Sequence, residues 1–152
     1  MKLSEHFTLK EMTASKTAKR LGISNDPDQN QLISLAVLCN RILEPVRIHF
    51  NKPIVPSSGF RSVQLCEAIG SKSTSQHTRG QACDFEIFGI DNLELAKWIK
   101  SNLEFDQLIL EGYEPGDTNS GWIHCSYNNL GSQRRQVLHT TDFKNYKVGL
   151  PK

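Results

Sequence analysis

The stretch Ser75-Gln76-His77-Thr78-Arg79-Gly80-Gln81-Ala82-Cys83-Asp84 constrains this chain more than any other. A histidine enters a small-residue turn, and an aspartate follows where the turn runs into a strand. Gly80 and Ala82 keep that turn tight and free of bulk. A strand points alternate residues to one face. Ala82 and Asp84 therefore share a face, and Cys83 and Phe85 share the other. In a second segment, Trp122-Ile123-His124-Cys125-Ser126, Trp122, His124 and Ser126 face one way, while Ile123 and Cys125 face the other. A fold that brings the two segments together sets His77, Asp84 and His124 on one face and turns both cysteines away from it.

Two imidazoles and one carboxylate suit a catalytic zinc ion, which takes three protein ligands and keeps a position open for water. Singly, a histidine or an aspartate is more often a core, cap or turn residue. In combination, with these flanking residues, His77, Asp84 and His124 point to one bound zinc. The alternation argues against Cys83 or Cys125 as ligand or nucleophile. A hydrolytic site also needs a general base, and the candidates are Glu111, Glu86, Asp106 and His139. Glu111 leads because Gln107, Ile109 and Glu111 share one face of a strand expected to pair with the His124 strand. Its other reading is a solvated strand end or a partner for a ligand histidine. Arg61 follows a Ser-Gly turn, where a guanidinium can clamp a substrate carboxylate or carbonyl with two hydrogen bonds. Ser75, Gln76 and Gln107 are weaker candidates for holding substrate. His6 and His49 read as structural or surface residues.

The bulk properties narrow the class. A chain of 152 residues with 38% hydrophobic and 22% charged residues is expected to form one domain, residues 1–152, with a sizeable core. A net charge of +2 is too small to indicate nucleic acid. No apolar run approaches the roughly 20 residues of a membrane helix. The start, Met1-Lys2-Leu3-Ser4-Glu5-His6, lacks an apolar signal core, so synthesis and folding in a cytoplasm are expected. Cys39, Cys66, Cys83 and Cys125 form no CxxC pair and read as free thiols.

Along the chain, Thr8-Leu9-Lys10-Glu11 fits a capping box, and Asn25-Asp26-Pro27 looks like a helix start. From Gln31 to Phe50 apolar residues recur at helical spacing, with Pro45 expected to kink or tighten the last turns. Cys39 lies on that apolar stripe as core filling. A short strand over Pro53–Ser58 is expected, then a helix capped by Ser62 through Ile69. Further strands are expected over 82–88, 105–111 and 121–127, and a helix runs from a second capping box at Asp91-Asn92-Leu93-Glu94 to about Asn102. The last two strands read as an antiparallel hairpin, and Gln136-Val137-Leu138 as a short edge strand. The tail from Thr140 shows no period.

These residues resemble the zinc D-alanyl-D-alanine carboxypeptidase family, which includes bacteriophage peptidoglycan endopeptidases. The matching pieces are Ser58-Gly59-Phe60-Arg61-Ser62, then Ser75-Gln76-His77 with Gly80, Ala82 and Asp84. Phe105-Asp106-Gln107-Leu108-Ile109 with Glu111 follows, then Trp122-Ile123-His124-Cys125-Ser126. Phe7-Thr8-Leu9-Lys10-Glu11 with Ser15 is similar to the small phage-type branch. The resemblance implies an α+β fold of the hedgehog/DD-peptidase kind, a small antiparallel sheet with helices packed on one side and zinc on the open face. It implies zinc on His77, Asp84 and His124, and a substrate-facing catalytic role for Arg61. The implied activity is hydrolysis of a peptide bond at a D-residue in peptidoglycan stem peptides, as carboxypeptidase or endopeptidase. The implied setting is phage or prophage, in lysis or on the virion, with a monomer acting on the wall after release.

Two positions depart from the family pattern. Many relatives place an acidic base three residues before the last histidine ligand, and here that position is Gly121. Glu111 is left as the base by elimination. Cys66 stands where a small polar residue is usual. The missing acid also motivates an alternative, a non-catalytic cell-wall-binding or virion structural protein that retains the fold.

Overall fold

A computed structural model describes residues 1–152. The chain forms helices α1 (Leu9–Thr13), α2 (Lys16–Leu21), α3 (Gln29–Leu38), α4 (Glu44–Phe50), α5 (Val63–Ala68) and α6 (Asn92–Asn102). Its strands are β1 (Val55–Ser58), β2 (Ala82–Glu86), β3 (Gln107–Glu111), β4 (Trp122–Ser126), β5 (Gln136–Thr140) and β6 (Lys147–Val148). The strands make one sheet in the order β1-β2-β4-β3-β5-β6. The expected α+β class holds. The β3–β4 hairpin is antiparallel as expected, but β3 and β5 run parallel, so the sheet is mixed. The segment expected to be an edge strand, β5, lies between β3 and β6, and the two-residue β6 takes the edge.

Helix boundaries follow local chemistry. Thr8 and Glu11 form the capping box of α1. The next long helix starts later than Asn25-Asp26-Pro27 suggests, because Asp28 is the residue whose carboxylate caps Gln31 N, with the Gln31 side chain reciprocating. Asp91 caps α6 by accepting from Leu93 N, but Glu94 does not reciprocate, so the expected second capping box is a single cap. Pro45 does not tighten its helix but follows a widened turn. Residues Cys39–Leu43 widen into a π-turn, and Glu44 N reaches back to Cys39 O. Pro45 has no N–H, and its ring would press on the Arg41 carbonyl of a continuous α-helix, so the wider turn relieves both problems.

One sheet face carries the core. Cys83, Phe85, Leu108, Leu110, Ile123 and Cys125 pack with Leu35, Leu38, Ile42, Leu43 and Val46 of the long helix and with Leu95, Ala96 and Ile99 of α6. All four cysteines are buried and unpaired. Burial pushes their thiols up, Cys39 to about 12, and none is poised as a thiolate. Glu44 is a buried polar member of the helical layer. Its carboxylate accepts from Ser4 Oγ at 2.6 Å and His6 N at 2.7 Å, and pairs with His6 Nδ1 at 2.7 Å, which ties down the N-terminal loop. His6 is thus structural, and His49 stacks on Trp98.

The N-terminal helices also brace the turn after β1. Phe60 N donates to Met12 O at 2.7 Å, and Asn25 donates to Thr13 O and Phe60 O while accepting from Ser62 N. Gly59 sits so close to α1 that a Cβ there would lie 2.4 Å from Met12 O. Gly59→Ala is expected to lower stability by about 2 kcal/mol or more, because backbone and not a flexible side chain must move. Denaturant unfolding measures it, with a clear drop in midpoint as the expected result.

Candidate metal centre

The face of the sheet opposite the core is built by register. Asp84 of β2 pairs with His124 of β4, which pairs with Ile109 of β3, while Trp122 pairs with Glu111. All five side chains stand on the face that Cys83 and Cys125 leave. His77 arrives from a 3-10 turn, Gln76–Arg79, that Ser75 caps by accepting from His77 N and that Gly80 ends at φ +71°. A Cβ on Gly80 would lie 2.5 Å from Gln31 O, so the turn is seated directly on the long helix.

The three donor atoms converge. Nδ1 of His124 lies 2.9 Å from Asp84 Oδ1, and Nε2 of His77 lies 3.5 Å from the same oxygen. One donor atom from each residue lies within 4.8 Å of the others. The His77 Nδ1–H donates to Gly59 O at 2.7 Å, which leaves the lone pair on Nε2. That Nε2 is buried and has no hydrogen-bond partner. Burial holds His77 neutral by pushing its pKa down, and the charges of His124 and Arg61 act in the same sense against Asp84. Burial opposes ionisation of Asp84, but the hydrogen bond from His124 and the adjoining His77 ring outweigh it and hold the carboxyl well below the usual range. A neutral imidazole with an unused buried lone pair, beside a carboxylate and a second imidazole, fits zinc.

A cleft of about 720 Å³ lies over these atoms. Arg61, Ser75, Gln76, Gln107 and Glu111 all line it, together with Ile109 and Trp122. Arg61 N donates to His77 O at 3.1 Å, and its Nε is buried without a partner. Gln107 bonds across to Gln136 at 2.7 Å. Of the four candidate bases, only Glu111 borders the cleft. His139 pairs in register with Leu110, on the core-facing side, and its Nδ1 lies 2.8 Å from Gly149 O. Glu86 stands beyond Asp84 toward the far end of β2, paired with Val55. Asp106 is 3% exposed and fully engaged, accepting from Arg134 Nε, Nη2 and N and from Gln76 Nε2. Burial pushes the Glu111 carboxyl up.

Gly121 explains why no acid precedes His124. Its φ is +71°, and a Cβ would lie 2.3 Å from Glu111 O. The hairpin closes backbone against backbone there, and Asn92 Nδ2 fixes the turn on Ser120 O and Gly121 O, both at 3.0 Å. Cleft residues that the sequence reading missed include Arg134, Arg79, Lys72 and Tyr146. Tyr146 comes from the β5–β6 connection, where Phe143 stacks on Trp122 with ring centroids 5.4 Å apart. No periodicity in the tail signals this fold-back.

The family model for Peptidase M15 matches residues 5–126. The chain belongs to the M15 peptidases. These are zinc-dependent metallopeptidases, which agrees with the donor set on the sheet face. Among curated proteins, none matches the chain. The family match ends with β4, so Arg134 and Tyr146 of this M15 peptidase lie beyond it.

Introducing the family's usual acid as Gly121→Asp is expected to destabilise the fold by about 2 kcal/mol or more without creating a second base, since backbone blocks the side chain. Thermal unfolding and hydrolysis by Gly121→Asp/Glu111→Gln check the two halves. For Asp106, burial opposes the charge but the Arg134 hydrogen bonds win, and the pKa lies below its ordinary value. Its contribution is therefore present above the unfolded value of about 4 and fades as pH falls through the lowered folded value. Asp106→Asn is expected to cost about 2 kcal/mol near neutrality and progressively less below about pH 4. Urea unfolding across that range measures the difference.

Proposed function

We propose that this chain is a zinc peptidase that hydrolyses a peptide bond at a D-residue in peptidoglycan stem peptides. The observation that carries the reading is the buried, unpartnered Nε2 of His77 beside Asp84 and His124 at the floor of a cleft that Glu111 also lines. His77, Asp84 and His124 would hold the ion. Zinc in that position supplies a Lewis acid for the scissile carbonyl and acidifies water.

The remaining work falls to the chain's own groups. Glu111 takes the proton of the attacking water and returns it to the leaving amine. Burial raises its pKa, which makes the carboxylate a stronger base than a solvated one. Arg61 orients the stem peptide by pairing with a carboxylate or carbonyl. Ser75, Gln76 and Gln107 offer further hydrogen bonds along the cleft. The Gly59 carbonyl keeps His77 in the tautomer a metal needs. The resemblance of the early Phe7–Glu11 stretch to the small phage-type branch supports a phage or prophage setting, with action on the wall after release.

Purified peptidoglycan, incubated with the zinc-loaded protein and examined by mass spectrometry for new amine ends, tests activity and bond choice together. Chelation is expected to abolish cleavage. Glu111→Gln is expected to keep zinc, measured by atomic absorption, while kcat falls about 10²- to 10⁴-fold. Full turnover in that variant would remove Glu111 from the base role. Binding of peptidoglycan without new amine ends would instead support a non-catalytic wall-binding protein.

A further inference from the structure

The cleft has two chemically different ends. Glu111 lies at the finish of β3 and Gln107 at its start, four residues apart on one face, or about 13 Å. Ile109 lies between them, opposite His124, so the metal ligands occupy the middle. The Glu111 end is anionic and aromatic, with Trp122 and Tyr146. The Gln107 end is cationic, with Arg134 and Arg79.

Arg134 is built into that end. Its Nε and Nη2 donate to Asp106 Oδ2 at 3.0 and 2.7 Å, and its backbone N donates to Oδ1 at 2.9 Å. Gln76 completes the clamp by donating to Oδ2 at 2.9 Å, with its own oxygen 3.5 Å from Arg134 Nη2. The Asp106 side chain is 4% exposed, whereas that of Arg134 is 55% exposed. One face of the guanidinium is therefore consumed inside, and the two N–H groups of Nη1 have no protein partner. Arg134, Gln76 and Arg79 also border an adjoining depression of about 430 Å³, so the clamped group sits between two hollows. Asp106 balances the charge of Arg134. Arg79 makes no ion pair, and its one side-chain hydrogen bond is from Nη2 to Thr74 O at 3.5 Å, so the end keeps a positive charge.

We propose that Arg134, fixed by Asp106 and Gln76, forms with Arg79 a carboxylate-binding subsite at the end of the cleft opposite Glu111. It takes a free carboxylate of an acidic peptide. The inference rests on the peptidase reading above. A surface arginine ordinarily loses rotamer freedom when it binds, and the Asp106 clamp removes that loss in advance. Guanidinium donors match a carboxylate in geometry as well as charge. Asp106 acts here through Arg134 as a positioning residue.

The test uses synthetic stem peptides in which each carboxylate in turn is replaced by a carboxamide. For the zinc-loaded wild type, one such replacement is expected to raise KM about tenfold with kcat little changed, the scale of a hydrogen bond to a charged group. In Arg134→Gln and in Arg79→Gln that preference is expected to shrink to about twofold or less, by loss on the acid peptide alone. Arg134→Lys is expected to retain part of it. Equal losses on acid and amide peptides, with a lowered unfolding temperature, would mean that Arg134 only supports the fold and would overturn the subsite. An unchanged preference would overturn it as well. If the wild type cleaves none of the peptides, the peptidase reading fails, and calorimetric binding decides the subsite separately. Tighter binding of acid than amide, lost in Arg134→Gln, upholds it, and equal binding refutes it.

Discussion

The site depends on one register, the pairing of Asp84 on β2 with His124 on β4. Side chains on a strand alternate, so a slip of one residue would carry Cys83 or Cys125 to the open face and drive a ligand into the core. The core opposes such a slip. Cys83, Phe85, Ile123 and Cys125 are all fully buried on the far side, and each would exchange places with a polar neighbour. The apolar face thus fixes the position of the polar one. The hydrophobic energy of the helical layer is what sets the two candidate ligands 2.9 Å apart.

His77 is held by a different route, through backbone. Its Nδ1 is bound to Gly59 O, and Phe60 next to Gly59 is bound to Met12 O of α1. Its turn is seated by Gly80 against the long helix. Two glycines therefore bring backbones to distances that no side chain would permit. Arg61 rides on the same turn, so the candidate clamp for substrate and the orientation of a ligand share one support. An N-terminal segment with no side chain in the cleft acts on the site in this way.

The segment after β4 completes the cleft from the other side. Arg134 enters just before β5, and Tyr146 just before β6, and the parallel pairing of β5 with β3 puts both beside the open face. Phe143 lies close over Gly112 as it stacks on Trp122, since a Cβ there would lie 3.1 Å from the Phe143 ring. These late residues add a clamped guanidinium toward one end of the cleft and an aromatic ring toward the other.

The candidate donor set, the α+β class, the antiparallel hairpin and the inert cysteines were legible in the sequence by itself. Alternation is a local rule, so a strand's two faces can be read without knowing its partner. Caps at Thr8, Ser62 and Asp91 were readable for the same reason, because a cap acts within one turn. The tertiary structure decided what depends on distant partners. It widened the helix before Pro45, paired β5 parallel to β3, tied Asp106 to Arg134, and turned His139 toward the core side. It also showed that Gly121 stands against the Glu111 backbone, where no acid fits, which leaves Glu111 alone among the candidate bases at the cleft. Composition and spacing carry no record of such approaches, because they arise only when separate segments are packed against one another.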